Sequence, residues 1–291
     1  MNTDNQSTRT AKTGLVLEGG AMRGLFSAGV IDVMMEHELW PDGVVGVSAG
    51  AAFGCNMKSR QIGRSIRYNK RFARDWRYCS VRSYLKTGEL FGGDFCYHEL
   101  PTTLDPFDTK TYGSNDMNFY AVCTDVDTGL PVYKKIDEMN FESMEWIRAS
   151  ASMPVAAKIV RINGRKLLDG GISDSIPLRF FQNMGYTRNI VVLTQPRDFI
   201  KQPEKIAPLI RMLLRKHPEF VAASDRRHVM YNDELDYIRQ EEAAGRILVL
   251  APDEKLPVNH VCHDPRLMQQ TYELGRQAAE RMIDKIKLMM A

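Results

Sequence analysis

The chain of 291 residues carries a formal net charge of +3, with 44% hydrophobic and 26% charged residues. This composition is that of a globular protein and excludes disordered, collagenous and coiled-coil classes. No stretch approaches the roughly 18 uninterrupted apolar residues of a membrane span. Residues 1–12 are polar and predict a disordered tail rather than a secretory signal. The five cysteines lack zinc-type spacing, so we expect a cytoplasmic protein without metal or cofactor.

The first elements along the chain alternate between strand and helix. Residues 14–17 read as a buried strand, and the glycine-rich turn at 18–24 leads into a helix. A second apolar strand at 44–47 is followed by a helix that begins at Ala49. This alternation is typical of the start of a parallel α/β sheet flanked by helices.

The remaining elements continue the same pattern. Residues 58–80 predict one basic helical stretch, and residues 86–117 predict loops because they are rich in Gly, Pro, Thr and Asp. The further expected elements are strands at 118–124 and 131–136, a helix at 141–152, a hairpin turning at Asn163-Gly164, a helix at 176–184, a strand at 189–194, mostly helix over 203–244, a strand at 246–250 and a helix from about Pro265.

The window 58–86 concentrates positive charge, with ten basic side chains against one acid. Five arginines fall within about 80° of one helical face: Arg60, Arg64, Arg67, Arg71 and Arg74. Two interpretations stay open, a surface helix packed on its apolar face or a peripheral contact with anionic membrane lipids. Nucleic acid is not expected as a partner, because no recognition fold accompanies the charge.

Residues 46–50, GVSAG, match the GxSxG nucleophile elbow. Such a turn from strand to helix exposes the oxygen of its serine, here Ser48, and Gly46 and Gly50 leave room for the turn and the substrate. The helix that follows directs its amino end at the serine, which favours developing negative charge. By itself the motif also fits a plain tight turn with a buried serine.

The glycine-rich segment EGGAMRG at 18–24 follows the first strand. It departs from a dinucleotide fingerprint, because Ala21 replaces a required glycine, and from a phosphate-binding loop, because no Gly-Lys pair follows. Two parallel strands joined by a helix open their following loops at the same sheet edge. The N–H groups of Gly20 and Ala21 are therefore expected near Ser48, where they would form an oxyanion hole.

A third segment, DGGISDSIP at 169–177, places Asp169 at a strand end before Gly170 and Gly171. In isolation it is typical of a β-turn with an Asx interaction. Together, the three segments resemble the patatin-like phospholipase family, whose members carry a DGGGxRG loop, GxSxG, and then DGG or DGA. The segment RASASMP at 148–154 also resembles that family.

The resemblance covers about residues 13–195 and implies a three-layer α/β/α fold with a mostly parallel central sheet. Residues 13–195 would form the catalytic domain, and residues 196–291 a helical extension that adds one strand. Two positions depart from the family pattern, since Glu18 replaces the usual Asp and Ala21 the third Gly. Both changes leave the backbone N–H donors in place.

The resemblance also implies a serine–aspartate dyad, with Ser48 as nucleophile and Asp169 as base, that hydrolyses phospholipid or lysophospholipid esters through an acyl-enzyme. The loop that would form the oxyanion hole comprises Gly19, Gly20, Ala21, Met22, Arg23 and Gly24. Within it Arg23 braces the loop or meets an anionic head group.

Two alternatives remain open. One is an α/β-hydrolase esterase with a Ser-Asp-His triad, because several histidines follow the aspartate. The candidates for that third member are His217, His228, His260 and His263. The other alternative is a catalytically silent patatin fold whose pocket only binds a lipid.

Overall fold

The computed structural model describes residues 11–291, and all but the last two residues of the expected tail at 1–12 lie outside this part. Lys12 already belongs to the first strand. The strands are β1 (Lys12–Leu17), β2 (Gly43–Val47), β3 (Asn118–Asp125), β4 (Pro131–Lys135), β5 (Val160–Ile162), β6 (Arg165–Asp169), β7 (Tyr186–Val192) and β8 (Ile247–Leu250). They form one eight-stranded sheet.

The sheet lies between two layers of helices. The α-helices are α1 (Leu25–Glu36), α2 (Ala49–Lys58), α3 (Arg64–Phe72), α4 (Val81–Thr87), α5 (Thr109–Ser114), α6 (Phe141–Ser150), α7 (Leu178–Asn183), α8 (Ala207–Leu213), α9 (Pro218–Ala243), α10 (Pro265–Arg281) and α11 (Ile283–Met290). Short 3-10 helices span Ala21–Gly24 and Gly170–Ile172, and a π-helix spans Phe95–Leu104.

Alternation along the strands assigns the two layers. Leu15 and Leu17 of β1 pack into a core with α1, α2, α6, α10 and α11, whereas Val16 faces α7 and α9 on the other side. Such alternation is the period-2 geometry of a strand buried on both faces. The three-layer α/β/α arrangement with a mostly parallel sheet, predicted from the sequence, is confirmed.

The pairing of β3 brings two strand ends together. Along the sheet, β8, β7, β1, β2 and β3 run parallel, while β4 and β6 pair antiparallel with β3. Val122 pairs with Val47 of β2, and the next residue, Cys123, pairs with Asp169 of β6. Strand β4 pairs along one side of β3. Strands β2 and β6 therefore lie end to end along its other side. Ser48, which follows Val47, therefore faces the end of β6.

Two predicted segments differ from the structure. The stretch at 58–80 is not one helix: α2 ends at Lys58, and α3 starts after Gly63, whose φ of 72° is a left-handed conformation that interrupts a helix. The stretch at 86–117 is not all loop, because the π-helix and α5 fall within it. In α5 the side chain of Asp108 accepts a hydrogen bond from the N–H of Thr111, so a residue taken as a loop marker caps a helix.

The hairpin between β5 and β6 turns as its sequence predicts. Asn163 and Gly164 both have positive φ, 50° and 80°, which is the backbone of a type I′ turn. The turn sets the register that carries β6 toward β3. In the described part of the chain, no helix combines the length and the apolar character needed to cross a bilayer.

Candidate active site

Ser48 lies at the junction between β2 and α2 with a strained backbone. Its φ of 55° and ψ of −120° lie outside the regions that non-glycine residues normally adopt. A Cβ on Gly46 would lie 2.3 Å from the carbonyl oxygen of Gly50, and a Cβ on Gly50 would lie 2.5 Å from the carbonyl oxygen of Leu17. Both glycines are thus required for the close packing that holds this turn.

Ser48 and Asp169 are joined by a direct hydrogen bond. The Oγ of Ser48 donates to Oδ2 of Asp169 at 2.7 Å, and the N–H of Gly171 donates to Oδ1 at 2.8 Å. Burial raises the pKa of the Asp169 carboxyl, although the hydrogen bond from Ser48 opposes this shift. A buried carboxylate with a raised pKa, in contact with a hydroxyl, is chemically suited to accept its proton.

The last residue of α6 and the residues after it hold both partners in place. Ser150 Oγ accepts the N–H of Ser48 at 2.9 Å and donates to the carbonyl of Val122 at 2.6 Å. The carbonyl of Ser152 accepts the N–H of Asp169 at 2.8 Å. Sequence reasoning noted this segment only as part of the resemblance and gave these serines no role, because their partners are set by the sheet register.

Glu18 anchors the glycine-rich loop. Its carboxylate accepts the N–H of Thr194 at 2.5 Å and the hydroxyl of Tyr231 at 2.7 Å. Thr194 also donates its hydroxyl to the carbonyl of Gly19 at 3.0 Å. Complete burial raises the pKa of the Glu18 carboxyl, while these hydrogen bonds lower it. The position that departs from the usual family Asp therefore ties the loop to β7 and α9.

Three amides of this loop are free beside Ser48. A Cβ on Gly19 would lie 3.1 Å from the Cβ of Ser48, so the loop passes directly against the serine. Within residues 11–291 the N–H groups of Gly19, Gly20 and Ala21 have no backbone or side-chain acceptor. Unbonded donors beside a nucleophile are the feature of an oxyanion hole.

The later residues of the loop have other contacts. The N–H of Arg23 donates to the carbonyl of Gly20 at 3.1 Å, so it is already used in the 3-10 turn. Met22 is buried in the core that includes Ala49 and Phe53. A Cβ on Gly24 would lie 2.7 Å from the Cβ of Ala49, which identifies Gly24 as a packing position. The glycines of the aspartate motif are also packing positions, since a Cβ on Gly170 would lie 2.2 Å from the carbonyl oxygen of Val122.

Two cavities meet at Ser48 and Ala21, which line both. The first is narrow and mainly apolar, with a volume of about 100 Å³, and its lining includes Met22, Phe53, Tyr68, Phe91, Leu100 and Met144. The second, which we call the polar cavity for its charged side chains, is wider, with a volume of about 490 Å³. Its charged or titratable lining residues are Glu18, Arg23, Asp169, Lys201, Glu204, Lys205, Arg227 and His260, and apolar residues such as Phe199 and Ile210 line it as well. An ester at Ser48 would therefore have an apolar space on one side and a charged space on the other.

No histidine in the described part of the chain contacts Ser48 or Asp169. His260 lies in the polar cavity, where its Nε2 contacts a guanidinium nitrogen of Arg23 at 3.3 Å. Burial and nearby cations lower the pKa of His260 to about 4, so its ring is neutral at pH 7. His217 and His263 contact Asp127 and the carbonyl of Ala73 respectively, and the geometry thus offers no triad.

The basic window departs from its sequence pattern at two arginines that contact Asp105. Arg64 is buried, and its guanidinium donates to Oδ1 of Asn56 and to the carbonyl of Asp105. Arg67 makes two hydrogen bonds of 2.8 Å to the Asp105 carboxylate. Arg64 is the one arginine of the predicted face that is buried; Arg60, Arg67, Arg71 and Arg74 are exposed, as are Arg82 and Lys86. Asp105, which lies in the segment predicted to be a loop, neutralises part of this face.

The sequence model of patatin-like phospholipases matches residues 15–181, more than half of the chain. The chain belongs to the patatin-like phospholipase family. This membership places it among lipid hydrolases at the level of the family. A second model, a domain of unknown function (DUF6363), matches residues 217–291, which include α9 to α11 and the polar-cavity residues Arg227 and His260.

Similar proteins extend this comparison. The uncharacterized protein YjjU of Escherichia coli K12 is 27% identical over 275 residues, which cover 90% of this chain and 74% of that protein. Lysophospholipase nte1 of Aspergillus oryzae is 28% identical over 185 residues, which cover 59% of this chain and only 11% of that protein. Among solved structures, VipD from Legionella pneumophila aligns with a TM-score of 0.48 and 12% identity over 95% of this chain and 67% of that one.

Proposed function

We propose that this protein is a serine acyl hydrolase that cleaves the carboxylic esters of phospholipids or lysophospholipids with Ser48 as nucleophile and Asp169 as base. The observation that carries the proposal is the buried 2.7 Å hydrogen bond from Ser48 Oγ to Asp169 Oδ2. Family membership supports the class of reaction, and the free amides of Gly19, Gly20 and Ala21 beside Ser48 support its chemistry.

In the first step Ser48 Oγ attacks the ester carbonyl carbon while its proton passes to Asp169. The carbonyl oxygen becomes an oxyanion, which the N–H groups of Gly19, Gly20 and Ala21 stabilise through hydrogen bonds. When the tetrahedral intermediate collapses, the bond to the alcohol oxygen breaks and the alcohol takes the proton from Asp169. The acyl group remains on Ser48 as an ester.

In the second step a water molecule attacks the acyl-enzyme, and Asp169 again accepts the proton. Collapse of the second intermediate breaks the bond to Ser48 Oγ, which recovers its proton, and the fatty acid leaves. One aspartate can serve both steps because its raised pKa brings it closer to the proton affinities of the groups that it serves.

The acyl chain occupies the apolar cavity in this proposal, because the transfer of hydrocarbon from water into an apolar environment is favourable. The aromatic and aliphatic lining there supports this orientation. The alcohol portion of the lipid would then occupy the polar cavity.

We also propose that the protein contacts anionic membrane lipids peripherally, through the exposed end of the window 58–86. On α4 Val81 and Leu85 are 70% and 80% exposed, and each is followed directly by an exposed cation, Arg82 and Lys86 respectively. Exposed apolar side chains interleaved with cations are typical of a surface that inserts shallowly among anionic lipid head groups.

Helix α8 supplies a second part of the same surface. It exposes Leu209, Met212 and Leu213 together with Arg211. Residues 153–159 connect the two helices. The carbonyl of Ala156 accepts the N–H of Leu90, three residues after α4. Val155 and Ile159 pack in the small core that holds Ile210 of α8 and Leu214, the residue after it. Ala156 lines both cavities, and Ile210 of α8 lines the polar cavity, so the connecting residues and α8 lie beside the space at Ser48.

Turnover by the purified protein tests the enzymatic proposal. Wild type and Ser48→Ala would be compared on phospholipids, lysophospholipids and triglycerides, after circular dichroism has established that both are folded. We expect hydrolysis by the wild type and a loss of at least about four orders of magnitude in the variant, since the nucleophile is removed. Residual turnover within tenfold of wild type would contradict the role of Ser48. Absence of turnover and of fluorophosphonate labelling in wild type would favour the silent lipid-binding alternative.

A further inference from the structure

The polar cavity gathers basic side chains from three separate parts of the chain. Arg23 comes from the glycine-rich loop, Lys201 from the segment after β7, and Arg227 from α9, and Lys205 joins them at the exposed rim. Positive charge is costly to concentrate in a partly buried space, because each cation loses hydration and repels its neighbours. Such a cluster therefore indicates an anion that it binds.

The carboxylates of the cavity form few ion pairs with this cluster. Glu204 pairs with both Lys201, at 3.0 Å, and Arg227, at 2.8 Å. The carboxylate of Glu18 already accepts hydrogen bonds from Thr194 and Tyr231. The carboxylate of Asp169 accepts them from Ser48 and Gly171. In the described part of the chain, Glu204 is thus the one carboxylate that forms ion pairs with these three cations.

Arg23 in particular lacks an acidic partner. Within residues 11–291 no carboxylate lies within ion-pair distance of its guanidinium, although Glu18 attracts it through space. Its Nε is buried without a hydrogen-bond acceptor, and a terminal nitrogen contacts the neutral ring of His260. An unpaired, largely buried guanidinium is expensive unless a ligand supplies the missing acceptor.

The neighbours of the cluster record its positive potential. The pKa of His260 is lowered by burial first and then by Arg23, Arg227 and Lys201. Burial, and next the charge of Arg227, also lower the pKa of Lys201. These shifts agree with the geometry, in which cations from distant segments lie within each other's field.

The cluster lies close to the reacting atoms. The Nε of Arg227 donates to the carbonyl of Gly171 at 2.6 Å, and the N–H of the same glycine donates to Asp169. In a glycerophospholipid the phosphate is joined to the ester through the short glycerol unit. An ester carbonyl at Ser48, with its acyl chain in the apolar cavity, therefore leaves the phosphate within the polar cavity.

We propose that Arg23, Lys201 and Arg227 form a phosphate-binding subsite that selects lipids with a net negative glycerophosphate head group. The inference rests on the proposed function and adds to it the class of head group. It also assigns a role to the C-terminal extension, because Arg227 lies in the segment matched by the domain of unknown function.

Three esters that differ only in the head group provide the test: 1-octanoyl lysophosphatidate, 1-octanoyl lysophosphatidylcholine and 1-octanoylglycerol. The short chain keeps them monomeric, so membrane binding does not affect the rates. We expect kcat/KM for the lysophosphatidate to exceed that for the neutral monoacylglycerol by at least tenfold, with the zwitterionic ester between them. Glycerol 3-phosphate should inhibit competitively.

Substitutions at Lys201 assign the selectivity to the cluster. Lys201→Gln should reduce the preference for lysophosphatidate over monoacylglycerol by about tenfold, mainly through KM, and weaken inhibition by glycerol 3-phosphate, since one charged hydrogen bond is lost. Lys201→Arg should retain most of the preference. Arg188→Gln is the matched control for the loss of one positive charge. Arg188 is exposed near the amino end of β7, whereas Ser48 lies at the carboxyl ends of the parallel strands.

Equal kcat/KM for the three esters would overturn the subsite, and so would an unchanged preference in folded Lys201→Gln. Inhibition by inorganic phosphate without any preference for lysophosphatidate would also overturn it as a head-group site. If the wild type hydrolyses none of the esters, the proposed function fails instead. Calorimetric titration of the wild type with glycerol 3-phosphate then still decides whether the subsite exists.

Discussion

The two cavities at Ser48 differ in composition and in the part of the chain that builds them. All residues that line the apolar cavity fall within residues 21–157, inside the segment matched by the family. The polar cavity draws many of its residues from 195–260, including Lys201, Arg227 and His260. In the proposed mechanism, the family region would therefore carry the chemistry and bind the acyl chain, whereas recognition of the alcohol side would depend on the C-terminal extension. A family match of this kind predicts the reaction better than it predicts the head group.

A substitution that fills the apolar cavity should have the largest effect on activity, and it tests whether the acyl chain binds in that cavity. Ala52 lines this cavity one helical turn after Ser48, whose carbonyl accepts its N–H at 3.0 Å. Ala52→Phe should reduce kcat/KM for a p-nitrophenyl palmitate ester by about 100-fold, because the longer side chain takes the space of several methylenes, each worth about 0.8 kcal/mol.

The butyrate ester, which needs little of the cavity, should lose less than tenfold in the same variant. Ala52→Ser is the control, because serine is close in size to the native alanine. It should keep the wild-type ratio of kcat/KM between the two esters. A proportionate loss on both esters would mean that the acyl chain lies elsewhere and that the assignment of the cavities is wrong.

A negative charge introduced on the exposed apolar surface should have a smaller effect. Leu213 on α8 is 53% exposed beside the entrance, and Leu213→Glu should weaken binding to vesicles of phosphatidylglycerol by about tenfold, since a buried leucine contributes about 1.5 kcal/mol or more. Co-sedimentation measures this binding. Leu288→Glu on α11, where the leucine is 76% exposed, is the control and should bind like wild type. Equal binding by all three proteins would remove α8 from the membrane surface.

The smallest effect concerns stability and its dependence on pH. Burial raises the pKa of Asp169, so its contribution to stability is present below the unfolded pKa and is lost as the pH rises through the folded pKa. Asp169→Asn avoids that loss, because the amide does not ionise. The Tm of the variant relative to that of wild type should therefore increase from pH 4 to pH 8. Each kcal/mol corresponds to roughly 2 °C in a chain of this size. The quantity to compare is the Tm of the variant minus the Tm of wild type. A smaller value of this difference at pH 8 than at pH 4 would contradict the desolvation of this carboxylate.

Activity should show the complementary dependence. The base must be ionised, so the rate should fall as the pH decreases through the raised pKa of Asp169, above the range of an ordinary aspartate. Glu18 is buried as well and also has a raised pKa. The Tyr231→Phe variant separates the two groups, because it removes a hydrogen-bond donor to Glu18. If the decrease in rate at low pH belongs to Asp169, its midpoint should be the same in this variant as in wild type.

The sequence was sufficient for the parts of the site that rest on local chain geometry. The elbow at 46–50 and the turn at Asn163-Gly164 each combine a strand end with glycines whose conformation is dictated by a few neighbours. The parallel crossover between β1 and β2 then predicts that the glycine-rich loop lies beside Ser48. The close approach of Gly19 to Ser48 follows from that topology.

The remaining contacts depend on tertiary register and could not be predicted. Ser150 bonds Ser48 only because α6 ends over the gap between β2 and β6. Tyr231 reaches Glu18 from more than 200 residues away along the chain. In the basic window the helical period predicts a continuous face, but Gly63 interrupts the helix and Asp105 neutralises part of the charge. Periodicity describes one element and carries no information about the side chains that pack against it.

The central claim, a dyad without histidine, is tested most directly by the rate at which Ser48 becomes acylated. Wild type, Asp169→Asn and His260→Gln would be mixed with p-nitrophenyl butyrate, and the butyryl adduct would be followed by intact mass and located by peptide mapping. The account predicts an adduct on Ser48 in wild type, a rate within tenfold of wild type in His260→Gln, and acylation slowed about 10²- to 10⁴-fold in Asp169→Asn, the range of a lost general base. A His260→Gln variant as slow as Asp169→Asn, or an adduct on any residue other than Ser48, would contradict it.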